Sequence, residues 1–315
     1  LQFLKSYASL QDFGNKESWF ARFILGPQKM EGLGKPYGVA VRGSKVYLCD
    51  IEKGDVLVAD LATRKHHWLG SSRRINLKKP INATVDEKGN IFIADAGLAK
   101  IVMFDERDQF VKSYDGPAGW RPTDVAVKDQ NIFVVDAENN QIKVFDRGQE
   151  KITRAFGKSG SGQGEMFKPT NIAMDKNNFL YVSDTINFRI QKFSLDGVFK
   201  ASFGQAGRTP GSFSRPKGIS LDRKGRIYAV DAAFDNVQIF DPKGRALLFF
   251  GGTGNEEGQM YLPADVFIDY GTDNIRRFQE FADPRLKLEY LVWVTNQYGP
   301  RPLSVYGFGL WKNKK

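Results

Sequence analysis

The chain has 315 residues, of which 41% are hydrophobic, 13% aromatic and 26% charged, a composition typical of a folded globular protein and not of a disordered chain. Its formal net charge of +10 favours anionic partners such as nucleic acid, a phospholipid surface or an acidic protein, although a basic surface without a partner would give the same value. Cys49 is the single cysteine, which excludes an intramolecular disulfide, a Cys-x-x-Cys-His haem attachment and a cysteine zinc cluster.

A proline marks the start of a unit that recurs along the chain. The six anchor prolines are Pro36, Pro80, Pro122, Pro169, Pro216 and Pro263, with spacings of 44, 42, 47, 47 and 47 residues. This period is typical of four-stranded propeller blades. The six anchors therefore predict one all-β domain, a six-bladed β-propeller with four-stranded antiparallel blades.

Each unit carries the same succession of strands and turns. Segments such as IFIAD, IFVVD and IYAVD are rich in β-branched and aromatic residues, and turn sequences such as DEKGN and DRKGR flank them, which is typical of hairpins. The second strand ends in an acid in five units and in Asn296 in the sixth, and this repetition favours turn bonding over catalysis. The strand-end acids are Asp50, Asp95, Asp136, Asp184 and Asp231.

The predicted blades cover residues 36–70, 80–116, 122–157, 169–204, 216–251 and 263–308. No fourth strand follows the third strand of the last unit, yet a closed ring requires a complete sixth blade. The segment ARFILG (21–26) has the character of a fourth strand and leads to Pro36, as the strand ending in Phe156 and Gly157 leads to Pro169. We therefore expect residues 19–26 to complete blade six.

The segment 270–289 interrupts the sixth unit between its first and second strands, where the other units have a short turn. Its sequence DNIRRFQEF predicts a short helix with Ile275, Phe278 and Phe281 along one side. Two interpretations are open. This apolar side packs beneath the propeller, or it docks a partner.

Basic residues precede five of the six anchor prolines, and Leu262 breaks the series in the sixth unit. Because corresponding residues of a propeller lie at corresponding radii, they predict a ring of positive charge on one face. This basic crown comprises Lys35, Lys79, Arg121, Lys168, Arg215 and the nearby Lys217. In one interpretation it binds an anion or a partner protein, and in the other it is a solvated surface.

Asparagine or aspartate follows four of the anchor prolines by two residues, at the entrance of the innermost strands, and Gly38 and Gly218 take this place in the other two units. Oxygen ligands around a central channel suit a hard cation such as Ca²⁺. Alternatively, these side chains bond the local backbone where a strand begins. The predicted channel-entrance ligands are Asn82, Asp124, Asn171 and Asp265.

The sequence assigns no catalytic residue and no cofactor other than this Ca²⁺. His66 and His67 are the only histidines and are adjacent, so on a strand they point to opposite faces and cannot both enter one site. The glycine-rich segments 157–167 and 204–213 precede a proline and a strand instead of a helix, so we interpret them as blade connectors and not as phosphate-binding loops.

These motifs resemble NHL repeats over most of the chain, with Pro-x-Gly-Ile at 216–219 and Tyr-Val-x-Asp-Thr-x-Asn-x-Arg-Ile at 181–190. More narrowly, QFLKSYASL, LGKPYGVAV, DAAFDNVQIFD and YLVWVTNQYGP resemble segments of secreted bacterial six-bladed NHL proteins. Members of that group often have the form of lipoproteins and accompany multihaem c-type cytochromes. The resemblance therefore implies an extracytoplasmic scaffold or binding protein, and it implies no reaction.

We therefore expect a non-enzymatic propeller that binds a protein partner outside the cytoplasm, with a multihaem c-type cytochrome as the family-level candidate. An RNA-binding propeller is one alternative, which would need aromatic residues exposed among the basic crown, where the sequence offers Tyr37 and Trp120. A metal-dependent lyase or lactonase is another and would need an asymmetric cluster in the channel. No run of about 18 apolar residues predicts a membrane-spanning helix, and a targeting segment or lipid anchor would lie on a missing N-terminal segment.

Overall fold

The structure is a computed structural model that describes residues 1–14, 32–71 and 74–312. These residues form six four-stranded antiparallel sheets. The innermost strands of successive sheets contact one another in ring order, and the last contacts the first, so that they surround a central channel. The predicted fold, an all-β six-bladed propeller, is confirmed.

The chain begins with strand β1 (Gln2–Tyr7), which belongs to the last blade, and the first three blades then follow. In each of them the strands run in chain order from the channel outward. Blade one contains β2 (Pro36–Arg42), β3 (Lys45–Asp50), β4 (Asp55–Asp60) and β5 (Lys65–Trp68); blade two contains β6 (Pro80–Val85), β7 (Ile91–Asp95), β8 (Lys100–Phe104) and β9 (Phe110–Asp115); blade three contains β10 (Pro122–Lys128), β11 (Asn131–Asp136), β12 (Gln141–Asp146) and β13 (Lys151–Phe156).

The remaining blades repeat this order, and a short helix interrupts the last one. Blade four contains β14 (Pro169–Met174), β15 (Phe179–Asp184), β16 (Arg189–Ser194) and β17 (Phe199–Phe203); blade five contains β18 (Pro216–Leu221), β19 (Ile227–Asp231), β20 (Asn236–Phe240) and β21 (Ala246–Gly251); blade six contains β22 (Pro263–Asp269), helix α1 (Thr272–Phe278), β23 (Leu286–Asn296) and β24 (Leu303–Trp311). Short 3-10 helices cover Leu10–Asp12, Leu69–Ser71, Thr185–Asn187 and Gln279–Phe281.

Each innermost strand begins at one of the six anchor prolines. Proline has no amide hydrogen to donate to a neighbouring strand, so it is tolerated at the first residue of a strand and not within it. Burial then decreases outward along a blade. Every residue of β19 is buried, whereas every residue of β21 except the partly buried Phe250 is exposed.

The apolar core lies between neighbouring blades. One cluster joins Phe92 and Ile101 of blade two to Ile132 and Phe145 of blade three. Full burial of one such side chain stabilises a fold by about 1.5–3 kcal/mol. Because two blades share each of these clusters, a blade without its neighbours would expose its core to water.

The ring closes through the N-terminal strand, as the sequence predicts. Strand β1 pairs antiparallel with β24, from Gln2 opposite Gly307 to Tyr7 opposite Leu303, and supplies the outermost strand of blade six. The segment 19–26, which we expected in this position, lies outside the described residues. The sequence pattern favoured that segment because it ends in an apolar residue followed by glycine, as several fourth strands do. The segment QFLKSY lacks this ending, yet it is the one that pairs with β24.

The insertion in blade six forms the predicted short helix and ties blade six to blade one. Phe278 is 1% exposed and packs edge to face on Trp293, with 5.3 Å between ring centroids. The Asn274 side-chain amide donates a hydrogen bond of 2.7 Å to the Gly43 carbonyl of blade one. Ile275 is half-buried against the same core, whereas Phe281 stays partly exposed. Ile275 and Phe278 therefore pack against the propeller, as the packing interpretation expects.

No helix among the described residues is long and apolar enough to cross a membrane.

Candidate functional site

The antiparallel strand order gives the propeller two chemically different faces. One face carries the connectors that lead into the six anchor prolines and the turns between second and third strands, and we call it the anchor face. The opposite face carries the other two turns of each blade and the insertion of blade six. All six residues of the basic crown lie on or beside the anchor-face connectors.

The strand-end acids fix the backbone of this face. Asp50 accepts hydrogen bonds from the backbone amides of Glu52 and Lys53 in its own turn, at 3.1 and 3.0 Å. It also accepts from the amides of Gly34 and Lys35 in the connector, at 2.7 and 2.9 Å. Asp95, Asp136 and Asp231 bond the amides of Lys79, Arg121 and Arg215 in the same way. Turn bonding is therefore confirmed, and the acids also hold the crown residues in place.

The members of the basic crown differ in their surroundings. Lys168 forms an ion pair with Glu138 at 3.1 Å. The Lys35 ammonium lies over the Tyr298 ring, 4.3 Å from its centroid. Three others are exposed side chains with no ion pair in the part of the chain that the structure describes, and these are Lys79, Arg121 and Arg215.

Lys217 is the exception, because it is buried and not exposed. Only 4% of the residue is accessible, and its Nζ lies 4.6 Å from the centroid of the Tyr37 ring. Tyr37 belongs to blade one and Lys217 to blade five, which are separated by blade six, so the two side chains meet across the channel mouth. Burial, together with the positive charges of Arg215 and Lys35, lowers the pKa of Lys217 to about 7.

Tyr37 lies between the crown and the channel. Burial raises the pKa of its phenol, while the positive charge of Arg215 acts in the opposite direction. Negative charge on Asp265 and Asp124, at the channel entrance, also raises this pKa. The phenol therefore lies close to charged groups from blades three, five and six.

Hydroxyl groups from the preceding blades fix the backbone at both residues. The Thr295 hydroxyl of blade six donates to the Tyr37 carbonyl at 2.5 Å, and the Ser183 hydroxyl of blade four donates to the Lys217 carbonyl. Glycine follows Tyr37 and Lys217 in both cases. A Cβ on Gly38 would lie 2.2 Å from Oδ1 of Asn82, so only glycine allows the innermost strands to approach here.

Thr123 takes the corresponding position in blade three, one residue after the anchor proline. It is 7% exposed, and its hydroxyl has no hydrogen-bond partner within the described residues. The odd-numbered blades thus place a phenol, a hydroxyl and an amine at equivalent positions of the mouth. Because these three residues share one repeat position, they lie at the same level of the channel.

A cavity of about 280 Å³ occupies the channel beneath the mouth, and all six innermost strands line it. Asn82, Asp124 and Asp265 line its anchor-face end, each 4% exposed. Burial raises the pKa of Asp265 to about 7 against the opposing effect of hydrogen bonds from Val39 and Val266. Burial and the charge of Asp265 raise the pKa of Asp124 as well.

The two channel carboxylates also bond backbone amides across blade boundaries. Asp265 accepts from the Val39 amide of blade one at 3.0 Å, and Asp124 accepts from the Ile172 amide of blade four at 2.9 Å. This is the backbone-bonding role that the sequence left open, extended to the next blade. The structure thus assigns these acids a definite task in holding the ring together.

The fourth predicted ligand, Asn171, is 1% exposed, and neither its amide nitrogen nor its amide oxygen has a partner within the described ranges. The predicted set holds two carboxylates and two amides, and the described chain contains no group of three or more His, Cys, Asp or Glu residues arranged to hold a metal. Ca²⁺ binding at Asn82, Asp124, Asn171 and Asp265 stays a prediction.

The structure adds aromatic residues to the anchor face that the sequence alone did not single out. Phe167, Tyr261 and Tyr298 are 41%, 47% and 49% exposed. Each lies in a connector or in a turn between second and third strands, so each shares this face with the basic crown. Trp120, which the sequence offered instead, is buried and donates its indole N–H to the Ala99 carbonyl at 2.7 Å.

The two histidines lie away from the channel. His66 and His67 belong to β5, the outermost strand of blade one. His67 contacts Asp108 of blade two, with 3.4 Å between Nε2 and Oδ2. Neither side chain contributes to the mouth.

Comparison with known proteins agrees with the fold. A protein family described as a 6-bladed beta-propeller matches residues 121–202, which correspond to blades three and four. No curated protein matches the sequence. A structural genomics protein of unknown function from Bacteroides thetaiotaomicron is 14% identical with a TM-score of 0.71, over 98% of this chain and 76% of that chain.

Two enzymes are also similar in structure. Virginiamycin B lyase from Staphylococcus aureus is 17% identical with a TM-score of 0.58, over 88% of this chain and 85% of that chain. A gluconolactonase from Xanthomonas campestris is 16% identical with a TM-score of 0.61, over 87% and 86% of the two chains. At such low identity the likeness establishes the fold alone, and by fold the chain is a six-bladed β-propeller.

Proposed function

We propose that the protein is a non-enzymatic binding propeller that docks an acidic protein partner on its anchor face. The observation that carries the proposal is the gathering of Lys35, Arg121, Arg215 and Lys217 around the channel mouth, where none of them forms an ion pair with a described residue. A cluster of like charges without ion pairs is unfavourable in the free protein. An acidic partner would neutralise it.

The chemistry of the rest of the face supports the same function. Arginine, tyrosine and phenylalanine are the side chains that protein interfaces favour, and Arg121, Tyr261, Tyr298 and Phe167 offer them in exposed positions. The backbone beneath them is rigid, since strand-end acids bond the connectors. A rigid face loses little entropy when a partner binds.

The resemblance to secreted bacterial NHL proteins supports a proposal for the cell compartment and the partner. On that basis we place the protein outside the cytoplasm, as a secreted or lipid-anchored scaffold, and name a multihaem c-type cytochrome as the candidate partner. Arginine and lysine side chains on the anchor face would pair with acidic residues on its surface. This pairing predicts association that weakens as the salt concentration rises.

Affinity capture from the source organism tests the proposal. The bait is the whole chain, compared with the double variant Arg121→Glu/Arg215→Glu and with the control Lys176→Glu/Lys243→Glu, whose exposed lysines lie in turns of the opposite face. We expect one partner protein that the control retains and the anchor-face variant loses. Retention by both variants, or capture that does not depend on salt, would contradict docking on this face.

RNA binding is the second candidate, and the exposed rings of Phe167, Tyr261 and Tyr298 favour it, because bases stack on such rings. The same capture distinguishes it: nuclease treatment would release an RNA-mediated partner and would leave direct protein docking intact. Fluorescence anisotropy with a single-stranded RNA would then show binding that Tyr298→Ala weakens.

The structural likeness to a lyase and a gluconolactonase favours a third candidate, an enzyme that works in the channel. Asp124 and Asp265 are the residues on which such an activity would depend. A lactonase assay on the whole chain with and without Ca²⁺, compared with Asp265→Asn, tests it directly. Turnover that requires Asp265 would replace the binding proposal.

A further inference from the structure

The channel mouth holds two polar groups for which the described residues provide no hydrogen-bond or ion-pair partner. They are the Lys217 ammonium and the Tyr37 hydroxyl, and the ammonium lies 4.6 Å from the centroid of the Tyr37 ring. Lys217 is 4% exposed, and a nearly buried ammonium without a counter-charge is unfavourable, so this arrangement indicates a ligand. Both groups can donate a hydrogen bond.

We propose that the channel mouth is an oxyanion site, in which Lys217 and Tyr37 donate hydrogen bonds to a carboxylate or a phosphate-like group. This oxyanion site deepens the proposed docking function. It rests on that function only in the source of the physiological anion, which would belong to the partner protein. The small-anion site itself is a property of this chain alone. It can therefore be tested without the partner.

The charges around the mouth favour an anion over any other ligand. Arg121 and Arg215 act electrostatically on Tyr37, and Arg215 and Lys35 act on Lys217. Burying an amine next to other cations is unfavourable unless a negative charge accompanies it. The arrangement is explained if an anion binds there.

The acids on the channel side fix the position of the ligand. Asp124 and Asp265 face Tyr37 from beneath, and their negative charges would repel an anion inside the channel. Their raised pKa values reduce this repulsion, since at neutral pH part of the pair carries a proton. The anion therefore binds on the crown side of Tyr37, within reach of Lys217.

Binding should take up a proton at alkaline pH. Because the pKa of Lys217 is lowered to about 7, most of the amine is neutral at pH 8 in the free protein. An oxyanion binds the ammonium form and raises its pKa back toward the ordinary value. At pH 8 each binding event would take up roughly 0.9 proton.

Isothermal titration calorimetry with sulfate and with acetate at pH 8, in two buffers of different ionisation enthalpy, measures affinity and proton uptake together. Neither probe titrates near this pH, so the protein takes up the proton and the buffer supplies it. We expect binding by the whole chain with a heat that depends on the buffer. A preference for acetate would identify a carboxylate as the natural group, and a preference for sulfate would identify a phosphate-like group.

Variants separate the role of Lys217 from a general effect of charge. Lys217→Met should weaken binding by about tenfold or more, since hydrogen bonds to a charged group contribute about 1.5–3 kcal/mol. Lys217→Arg should retain binding and abolish the proton uptake, because arginine stays charged. Tyr37→Phe removes one hydroxyl and should have a smaller effect, and the exposed Lys176→Met is the matched control.

The outcomes distinguish this site from the docking function. Equal affinity of Lys217→Met and the unchanged chain for both anions, or binding without proton uptake, would overturn the oxyanion site. If anion binding meets these expectations but the anchor-face variants still capture the partner, the oxyanion site is supported and docking on this face is contradicted. Circular dichroism confirms that each variant is folded before it is compared.

Discussion

The odd-numbered and even-numbered blades share one backbone plan and differ at the channel mouth. Blades one, three and five leave cations and hydroxyls without a hydrogen-bond or ion-pair partner among the described residues, namely Tyr37 of blade one, Arg121 and Thr123 of blade three, and Arg215 and Lys217 of blade five. Corresponding residues of the even blades are apolar or paired, with the exception of the exposed Lys79 of blade two. The Thr170 hydroxyl bonds that of Thr185 at 2.9 Å, and the other members of this set are the buried Ile81 and Ala264 and the ion-paired Lys168.

This difference teaches where function lies in a repeat protein. Features that recur in every blade, such as the anchor prolines and the strand-end acids, hold the ring together. Features confined to alternate blades cannot be required by the blade itself.

The largest loss of stability is expected where an even blade meets an odd blade across the closure. Phe278→Ala removes a buried ring that packs on Trp293 and should lower the free energy of unfolding by about 3–5 kcal/mol. Phe281→Ala, at a 39% exposed position of the same insertion, should lower it by less than about 1 kcal/mol. Urea unfolding measures both. Equal small effects, together with loss of the partner, would favour the docking interpretation of the insertion.

Replacing a strand-end acid should lower the free energy of unfolding by a similar amount in both kinds of blade. Asp95→Ala and Asp231→Ala each leave several backbone amides of a turn and a connector without an acceptor. Each should lower the free energy of unfolding by about 2–4 kcal/mol. A variant of this kind that left stability unchanged would contradict the structural role of the acids.

Replacing a lysine of the basic crown should change the free energy of unfolding differently in the two kinds of blade. Lys217→Met removes a buried amine and should raise the free energy of unfolding at pH 8 by about 1–3 kcal/mol. Lys168→Met, in blade four, breaks only an exposed ion pair and should change it by less than about 1 kcal/mol. If thermal unfolding shows the same effect for both, Lys217 is an ordinary surface lysine.

The pH dependence of stability should have a minimum near pH 7. The pKa of Asp265 is raised to about 7 from about 3.9, so the folded state binds more protons between these values and stability falls as pH rises through them. The pKa of Lys217 is lowered to about 7 from about 10.4, so above pH 7 the unfolded state binds more protons and stability rises with pH. Urea unfolding from pH 4 to 10 checks this.

One variant tests the fall in stability below pH 7, and another tests the rise above it. Asp265→Asn should flatten the fall between pH 4 and 7, and Lys217→Met should flatten the rise above it. An unchanged acidic limb in Asp265→Asn would assign the fall to Asp124 or to other carboxyls. An unchanged alkaline limb in Lys217→Met would contradict a buried amine at the mouth.

Much of the fold could be predicted because it repeats. Six prolines at nearly constant spacing indicated the number of blades and the start of every innermost strand, since the first residue of a strand is one of the few places in a sheet that tolerate proline. The closing strand was harder to place. It pairs with residues about 300 positions away, and its sequence QFLKSY carries no mark that distinguishes it from other short amphipathic segments.

The site could be predicted only in outline. Aligned repeats brought the crown and the channel-entrance residues to one end of the propeller, but they treated all positions as equivalent. Burial separated Lys217 from the exposed crown, and this followed from a contact with Tyr37 two blades away. The roles of Ser183 and Thr295 could not be predicted from the sequence either, because each hydroxyl donates a hydrogen bond to a carbonyl in the next blade.

The most direct test of the central claim compares charge reversal in the two kinds of blade on the same face. Arg121→Glu/Arg215→Glu changes two odd blades, and Lys79→Glu/Lys168→Glu changes two even blades by the same net charge. Partner capture from the source organism at a fixed salt concentration gives the readout. We expect the odd-blade variant to lose the partner and the even-blade variant to keep most of it. Equal loss in both variants, or retention in both, would contradict the central claim.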